Sequence, residues 1–448
     1  MELRTGSVSH LLLGFSGYQW LVIGAAWAGW GFDVFDALLF NFVAPNCIPT
    51  LLHLPLGSAA AHSATLLWTG IITSALLLSW ATGGVLFGWL ADRMGRKGAL
   101  FATIALYALG TALCAAATNI VQLIVFRTLA GLGIGGEWGI GAALVAEAVP
   151  EQRRVQAGVI MQTASPLGIV LASGVNYLVA GVWFGADPHA AWRYVFLAGL
   201  APFLVALLVR MFLRESERWQ TSHAHQSQPH PRQLFAPQLR RATASGAFVA
   251  VTAVLTWWAC NAFIPLLGGT LAAEQAAHAA LAPAAARQLA AAWQAHASNA
   301  FNFGGLLGAL AAVPLAHLLS RRALFATYFG FGAVTIALTF GLALEPQTRL
   351  ALLFLVGAAV YGVFGVLTFY LPELFPARLR ATGAGFCYNI GRLFAAAGPV
   401  VVGMVSATTG GSSGTLIGIL FWVALAPLAA TLLVPLLVVE TRGRELPP

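Results

Sequence analysis

Twelve stretches of about 20 apolar residues follow one another along this chain, and no other feature constrains its fold as much. They run at about 18–42, 66–91, 98–118, 120–147, 156–181, 192–213, 243–266, 295–319, 324–344, 350–371, 382–408 and 415–438. Each is long enough to cross a hydrocarbon core of about 30 Å as a helix. Lipid offers no hydrogen bonds to an open backbone, so helices are the economical way to span it. Composition agrees: 59% of the 448 residues are hydrophobic and 8% are charged, against roughly 25% charged in ordinary soluble domains. The expected fold class is an all-α membrane protein with twelve transmembrane helices.

Orientation follows from the 23 basic residues. With the N-terminus inside, the cytoplasmic segments take Arg4, Arg93, Arg96, Lys97, Arg153, Arg154, Arg321, Arg322, Arg378, Arg380, Arg442, Arg444 and the arginines between 210 and 241. The external segments keep Arg193, Arg287 and Arg349. This bias predicts a multi-pass protein of the cell (inner) membrane with both termini cytoplasmic. It also accounts for the net charge of +8, so no nucleic-acid partner is implied. Residues 1–17 lack the compact apolar core and cleavage site of a signal peptide, so the first span is expected to be an anchor. Cys47, Cys114, Cys260 and Cys387 are scattered and read as small apolar core residues rather than a disulfide or metal site.

Sliding the chain over itself by about 226 residues exposes an internal repeat. "EAVPEQRR" from Glu147 falls on "ELFPARLR" from Glu373, and "LADRMGRK" meets "LAHLLSRR", which keeps Arg321 and Arg322. Two six-helix bundles are implied, at 1–213 and 243–448. The intervening 214–242 is rich in His, Gln, Pro, Ser and Arg and suits a cytoplasmic linker. Duplicated halves of this kind face each other across a site near mid-membrane and alternate access by rocking.

The motifs themselves resemble the major facilitator superfamily. "GWLADRMGRK", Gly88 to Lys97, is similar to its signature loop between the second and third spans, and "RTLAGLGIGGEW", Arg127 to Trp138, resembles its fourth-helix motif. The Glu-Pro-Arg groups at 147–154 and 373–380 are similar to its paired cytoplasmic signatures. The resemblance covers the whole chain and implies a secondary transporter whose first, fourth, seventh and tenth helices line the cavity. A cytoplasmic gate is expected from Gly88, Asp92, Arg93, Gly95, Arg96, Lys97, Glu147, Arg154, Glu373 and Arg380. Asp92 and the basic trio can latch the helix ends together, whereas positive-inside topology alone explains neither Asp92 nor the two glycines. Gly131, Gly133, Gly135 and Gly136 read first as sites of close helix packing.

"WGFDVFDALLF", Trp30 to Phe40, puts two acids inside an apolar span. An acid near a helix centre costs about 2.5–3.5 kcal/mol on the insertion scale, so two need a reason. Asp33 and Asp36 share one face of the first helix. Counting about 1.5 Å per residue puts Asp36 level with Arg127 of the fourth helix, so they can pair across the bundle. One arginine cannot neutralise two carboxylates, so at least one should bind a proton reversibly, while the other tunes it or orients Arg127. A static pair that only fixes helix register is the bland alternative. Resemblance supports the proton: "GFD" matches a first-helix motif of sugar porters whose acid pairs with the fourth-helix arginine, and the Asp-x-x-Asp spacing resembles aromatic-acid and sialate or lactate proton symporters. Glu137, in a "GGEW" similar to organic-acid symporters, is a third coupling candidate or a helix-end tie.

Arg392 lies roughly 16 Å into the eleventh span with no acid beside it in that span. A cation at that depth wants an anion, and a substrate carboxylate fits its planar fork. Asn389, Tyr388, Gln162, Asn261, Tyr361 and Trp258 are polar or aromatic neighbours that can line the same cavity, with Trp257 as a further wall. Gln162 and the "NY" at 176–177 match sugar porters, but "LTWWACNAF" and Thr368 depart from them and favour a small carboxylate. The expectation is therefore a proton-coupled symporter of a small organic anion, mono- or aromatic carboxylate, working as a monomer in the bilayer with no cofactor and the proton as coupling ion. A sugar or polyol symporter and an efflux antiporter are the alternatives. No nucleophile with its base and no metal cluster suggests an enzyme.

Overall fold

The computed structural model describes residues 14–56, 58–184, 187–204, 212–217, 219–221, 230–398 and 413–447. Helices dominate it, and among the described residues ten are long and apolar enough to cross a membrane. The expected spans at 192–213 and 382–408 run onto 205–211 and 399–412, which lie outside the described residues, as do Arg4, Arg210, Arg218, His223 and His225.

The first half contributes α1 (Gly17–Leu51), α2 (Ala59–Met94), α3 (Arg96–Cys114), α4 (Ile120–Ala148), α5 (Arg154–Gln162), α6 (Ala164–Asn176) and α7 (Pro188–Leu197). The second contributes α8 (Arg240–His278), α9 (Pro283–Leu318), α10 (Arg321–Gly341), α11 (Pro346–Val360), α12 (Gly362–Glu373), α13 (Arg380–Ala395), α14 (Ser413–Val423) and α15 (Leu425–Leu437). Pairs α5–α6, α11–α12 and α14–α15 each make one broken span. Starts carry their own signals: Ser16 and Gln19 form a capping box on α1, Ser58 caps α2, Asn119 caps α4, and Ser320 caps α10. Between α2 and α3 the chain turns within one residue, Gly95, at φ +101°, a backbone that disfavours any side chain.

The residues at 267–294 do not form a separate external helix, as their alanine-rich sequence suggests. They are the outer ends of α8 and α9, which with 39 and 36 residues reach well past a hydrocarbon core of about 30 Å. Helices α1 and α2, at 35 and 36 residues, do the same in the first half. Both hairpins turn through a left-handed non-glycine residue, His53 in one and Ala280 in the other. Glu274 ties the second hairpin down by accepting hydrogen bonds from the backbone N–H and hydroxyl of Ser413, at 3.0 and 2.7 Å.

The segment expected as a loose linker is also partly packed. Glu215 accepts from the backbone N–H groups of Arg96 and Lys97 at 2.7 and 3.2 Å, capping α3, and the Trp219 indole donates to the Asp92 carbonyl at 2.8 Å. The second half opens with α8 at Arg240 rather than near 243. The halves meet where α13 packs along α2, and where α5 packs against α12 and α9.

Candidate functional site

At the basic face the repeated motifs build two matching ion clusters. Glu147 lies 3.1 Å from Arg96 of its own half and 2.8 Å from Arg380 of the other. Glu373 lies 3.0 Å from Arg321 of its own half and 3.6 Å from Arg154 of the other. All of these side chains are buried. Asp92 adds a latch that the repeat does not duplicate. It pairs with Arg96 at 2.6 Å and accepts from the backbone N–H groups of Ala381 and Thr382 at the start of α13, at 3.2 and 2.7 Å. An N-terminal turn of a helix has unpaired N–H groups that favour a carboxylate. Gly88 allows the approach, because a Cβ there would sit 2.7 Å from the Ala381 carbonyl oxygen. Two expected members of this gate stand apart. Arg93 is exposed and lies over the Trp89 ring, and the Lys97 side chain joins no ion pair among the described residues.

Deeper in the first half, Arg127 grips Asp36 at 2.7 Å, and both are fully buried. Thr111 of α3 donates to the same carboxylate at 2.5–2.6 Å, and the second Arg127 nitrogen donates to the carbonyls of Asp36 and Ala37 at 3.2 and 3.3 Å. Arg127 thus belongs to Asp36 and not to Asp33. The Asp33 carboxylate is fully buried, and neither oxygen has a hydrogen-bond partner among the described residues. Glu137 accepts from Thr103 at 3.2 Å through one oxygen and has no partner for the other. Its carboxyl is pressed onto α1 at Gly29, where a Cβ would overlap it, one helical turn from Asp33.

Thr103, Tyr107 and Thr111 recur every fourth residue on α3 and are all fully buried, so they form one polar stripe facing this column of acids. Sequence reading missed that stripe, although its spacing was the available signal.

Between the halves lies a narrow cavity of about 40 Å³, room for a water or two in this conformation. Gln162, Trp258, Tyr361, Tyr388 and Arg392 line it as expected, together with Trp30, Trp80, Ser165, Trp257 and Phe364. Arg392 has no acid within ion-pair distance among the described residues. Its guanidinium is sandwiched by the rings of Trp80 and Tyr388, 4.2 and 4.4 Å from their centroids, and donates to Asn389 at 2.6 Å.

Two expected lining residues are elsewhere. Asn389 turns to α2, where Gly84 leaves it room, and bonds the carbonyls of Gly385 and Gly135, so it holds Arg392 rather than facing the cavity. Asn261 is half-buried on α8 and outside the lining, because the ring pair Trp257 and Trp258 takes the cavity side of that helix. Toward the basic face the cavity is closed by contacts across the halves. Trp138 stacks on Tyr388 with centroids 3.8 Å apart, and Gln162 donates to the Tyr361 hydroxyl at 3.0 Å.

Known proteins resemble this arrangement in sequence and in shape. Residues 35–234 match the family described as "Sugar (and other) transporter". A probable 4-methylmuconolactone transporter of Cupriavidus pinatubonensis is 31% identical, over 86% of this chain and 83% of its own. The niacin transporter NiaP of Acinetobacter baylyi is 26% identical, over 86% and 87%. The solved structure of the proton:xylose symporter XylE bound to 6-bromo-6-deoxy-D-glucose superposes with a TM-score of 0.69 at 18% identity, covering 96% of this chain and 98% of that one.

Proposed function

The chain belongs to the sugar (and other) transporter family of the major facilitator superfamily and is a multi-pass transporter rather than an enzyme; from that premise we propose that it takes up a small organic anion, a mono- or aromatic carboxylate, together with protons. One observation carries the reading: Arg392 is a buried cation with no acid within ion-pair distance among the described residues, and it lines a cavity walled by aromatic rings. As the cavity widens, a carboxylate can engage the Arg392 Nε edge, which has no hydrogen-bond partner among the described residues, and a flat apolar ring can pack among Trp257, Tyr361 and Phe364. Relatives named for niacin and 4-methylmuconolactone point to the same substrate class. The sugar alternative has less support, because Gln162 already spends its amide on Trp138 and Tyr361.

In the proposed cycle the ion clusters at the basic face, cytoplasmic by charge bias, hold that side shut while the anion enters from the other. A proton taken up among the buried acids of the first half offsets the incoming charge. The halves then rock, with Glu147 and Glu373 releasing their cross-half arginines. Protonation of Asp33 or Asp36 is the step expected to release Arg127; of the two, Asp36 is the one that pairs with it among the described residues, which supports the Asp36 arm.

Proteoliposome uptake tests the function. Labelled benzoate and nicotinate should accumulate under an inward proton gradient and not without it, whereas glucose and xylose should not accumulate. Sugar accumulation, or carboxylate uptake indifferent to the gradient, would sink the respective part of the proposal.

A further inference from the structure

The first half contains two buried acids for which the ion pair of Arg127 does nothing. Asp36 is satisfied: Arg127 neutralises it, and Thr111 hydrogen-bonds it. Asp33 and Glu137 are not. They sit one turn apart across the contact of α1 with α4, with three carboxylate oxygens lacking any hydrogen-bond partner among the described residues. The hydroxyl of Tyr107, on the α3 stripe between Thr103 and Thr111, is buried beside them without a hydrogen-bond partner among the described residues.

Two ionised carboxylates cannot share a dry site of this kind, and leaving both neutral would need no special arrangement of charge around them. The groups that face Asp33 are Asp36 from its own helix, Glu137 from α4, Tyr107 from α3, and Arg392 with Tyr388 from α13. Among these Arg392 is the one cation, and it comes from the opposite half.

We propose that Asp33 and Glu137 share a single proton, and that Arg392 governs how firmly they hold it. The proton comes from bulk water, and the O–H bond forms on one carboxyl while the other accepts from it. With Arg392 bare, its positive field favours the ionised pair and proton release. A carboxylate seated on Arg392 cancels that field, so anion and proton each strengthen the binding of the other, as linkage requires. Coupling then passes through a single arginine that touches the cavity on one side and the acids' field on the other. This inference rests on the proton-coupled reading above and assigns its proton site and its coupling element.

Infrared difference spectra of the purified full chain, acid minus alkaline, read the pair with no substrate present. The wild type should show a protonated-carboxyl C=O band with a defined midpoint, and Asp36→Asn, which removes a neighbouring negative charge and leaves Arg127 unpaired, should keep the band and lower its midpoint. In both Asp33→Asn and Glu137→Gln the band should be lost or its midpoint moved, because removing one member of a coupled pair changes the titration of the other. Arg392→Gln should move the midpoint to higher pH, and benzoate should do the same in the wild type but not in that variant. A wild-type midpoint in Asp33→Asn or in Glu137→Gln overturns the shared proton, and an unmoved midpoint in Arg392→Gln overturns the link between the halves. Proton-driven benzoate uptake together with either result leaves the proposed function standing and moves the proton elsewhere. Absence of such uptake with the expected spectra does the reverse.

Discussion

The basic face and the middle of the membrane treat the internal repeat in opposite ways. At the face, each half supplies a glutamate that holds one arginine from each side, and the two clusters match residue for residue. At mid-membrane the match is gone: among the described residues the first half holds Asp33, Asp36, Arg127 and Glu137, and the second answers with Arg392. A clasp that must open and close along a two-fold seam works best when both halves carry it equally. On the proposed reading, recognition of an anion and storage of a proton need opposite charges, and the two halves supply them separately.

Substitutions can break this contrast at each level. The largest effect is expected from Asp36→Ala, which leaves Arg127 charged and buried without its acid. Thermal unfolding in detergent should report a loss of about 3–5 kcal/mol, with Asp36→Ala/Arg127→Leu recovering part of it. Equal destabilisation by the single and the double variant would show that the pair does not act as a unit. Next comes Arg392→Gln, which should weaken benzoate binding by about 3 kcal/mol, roughly a hundredfold, while insertion and unfolding temperature stay near those of the wild type. Titration calorimetry separates that outcome from a folding defect.

Symmetry itself is tested by Glu147→Gln and Glu373→Gln. Each removes the acid between two arginines, so each should favour opening of the basic face by about 1–3 kcal/mol, and the two effects should agree. A cysteine-accessibility assay on that face would detect a mismatch. Asp92→Asn should have a smaller effect of the same sign, about 1 kcal/mol, whereas His317→Ala, at the equivalent repeat position, should have almost none, since the imidazole is exposed.

The smallest effect concerns Glu440. Burial pushes its carboxyl up, but the backbone N–H groups of Arg321, Arg442 and Arg322 outweigh that and hold it below its ordinary value. Its cap on α10 is therefore fully present above the unfolded value of about 4.3 and is lost as pH falls through the lower folded value. Glu440→Gln should lower stability slightly near neutrality and flatten the acid limb, so that the variant and wild-type profiles converge at low pH.

Much of this was legible before any coordinates. A rigid rise per residue makes depth in a helix countable, which is why Arg127 could be set level with Asp36, and the pair is found at 2.7 Å. The repeat likewise pointed to Glu147 and Glu373 as counterparts. Rotation about the helix axis is harder to read than depth. Asn389 precedes Arg392 by three residues, yet that offset swings it from the cavity to α2. The proximity of Glu137 to Asp33 depended on how closely α4 approaches α1, which Gly29 permits and no count along either helix reveals. Only the α3 stripe, Thr103, Tyr107 and Thr111, announced itself by spacing and went unread.

The crossed pairing of the clasp also bears on how the protein is made. Glu147 has Arg96 at hand as soon as the first half enters the membrane, but its second arginine, Arg380, is translated more than half a chain later. Arg154 waits almost as long for Glu373. The first half therefore reaches the bilayer with part of its seam chemistry incomplete, and the arriving second half docks on charges already in place. Biogenesis and gating thus draw on the same contacts, and a lesion at Glu147 or Arg154 should show in yield as well as in transport.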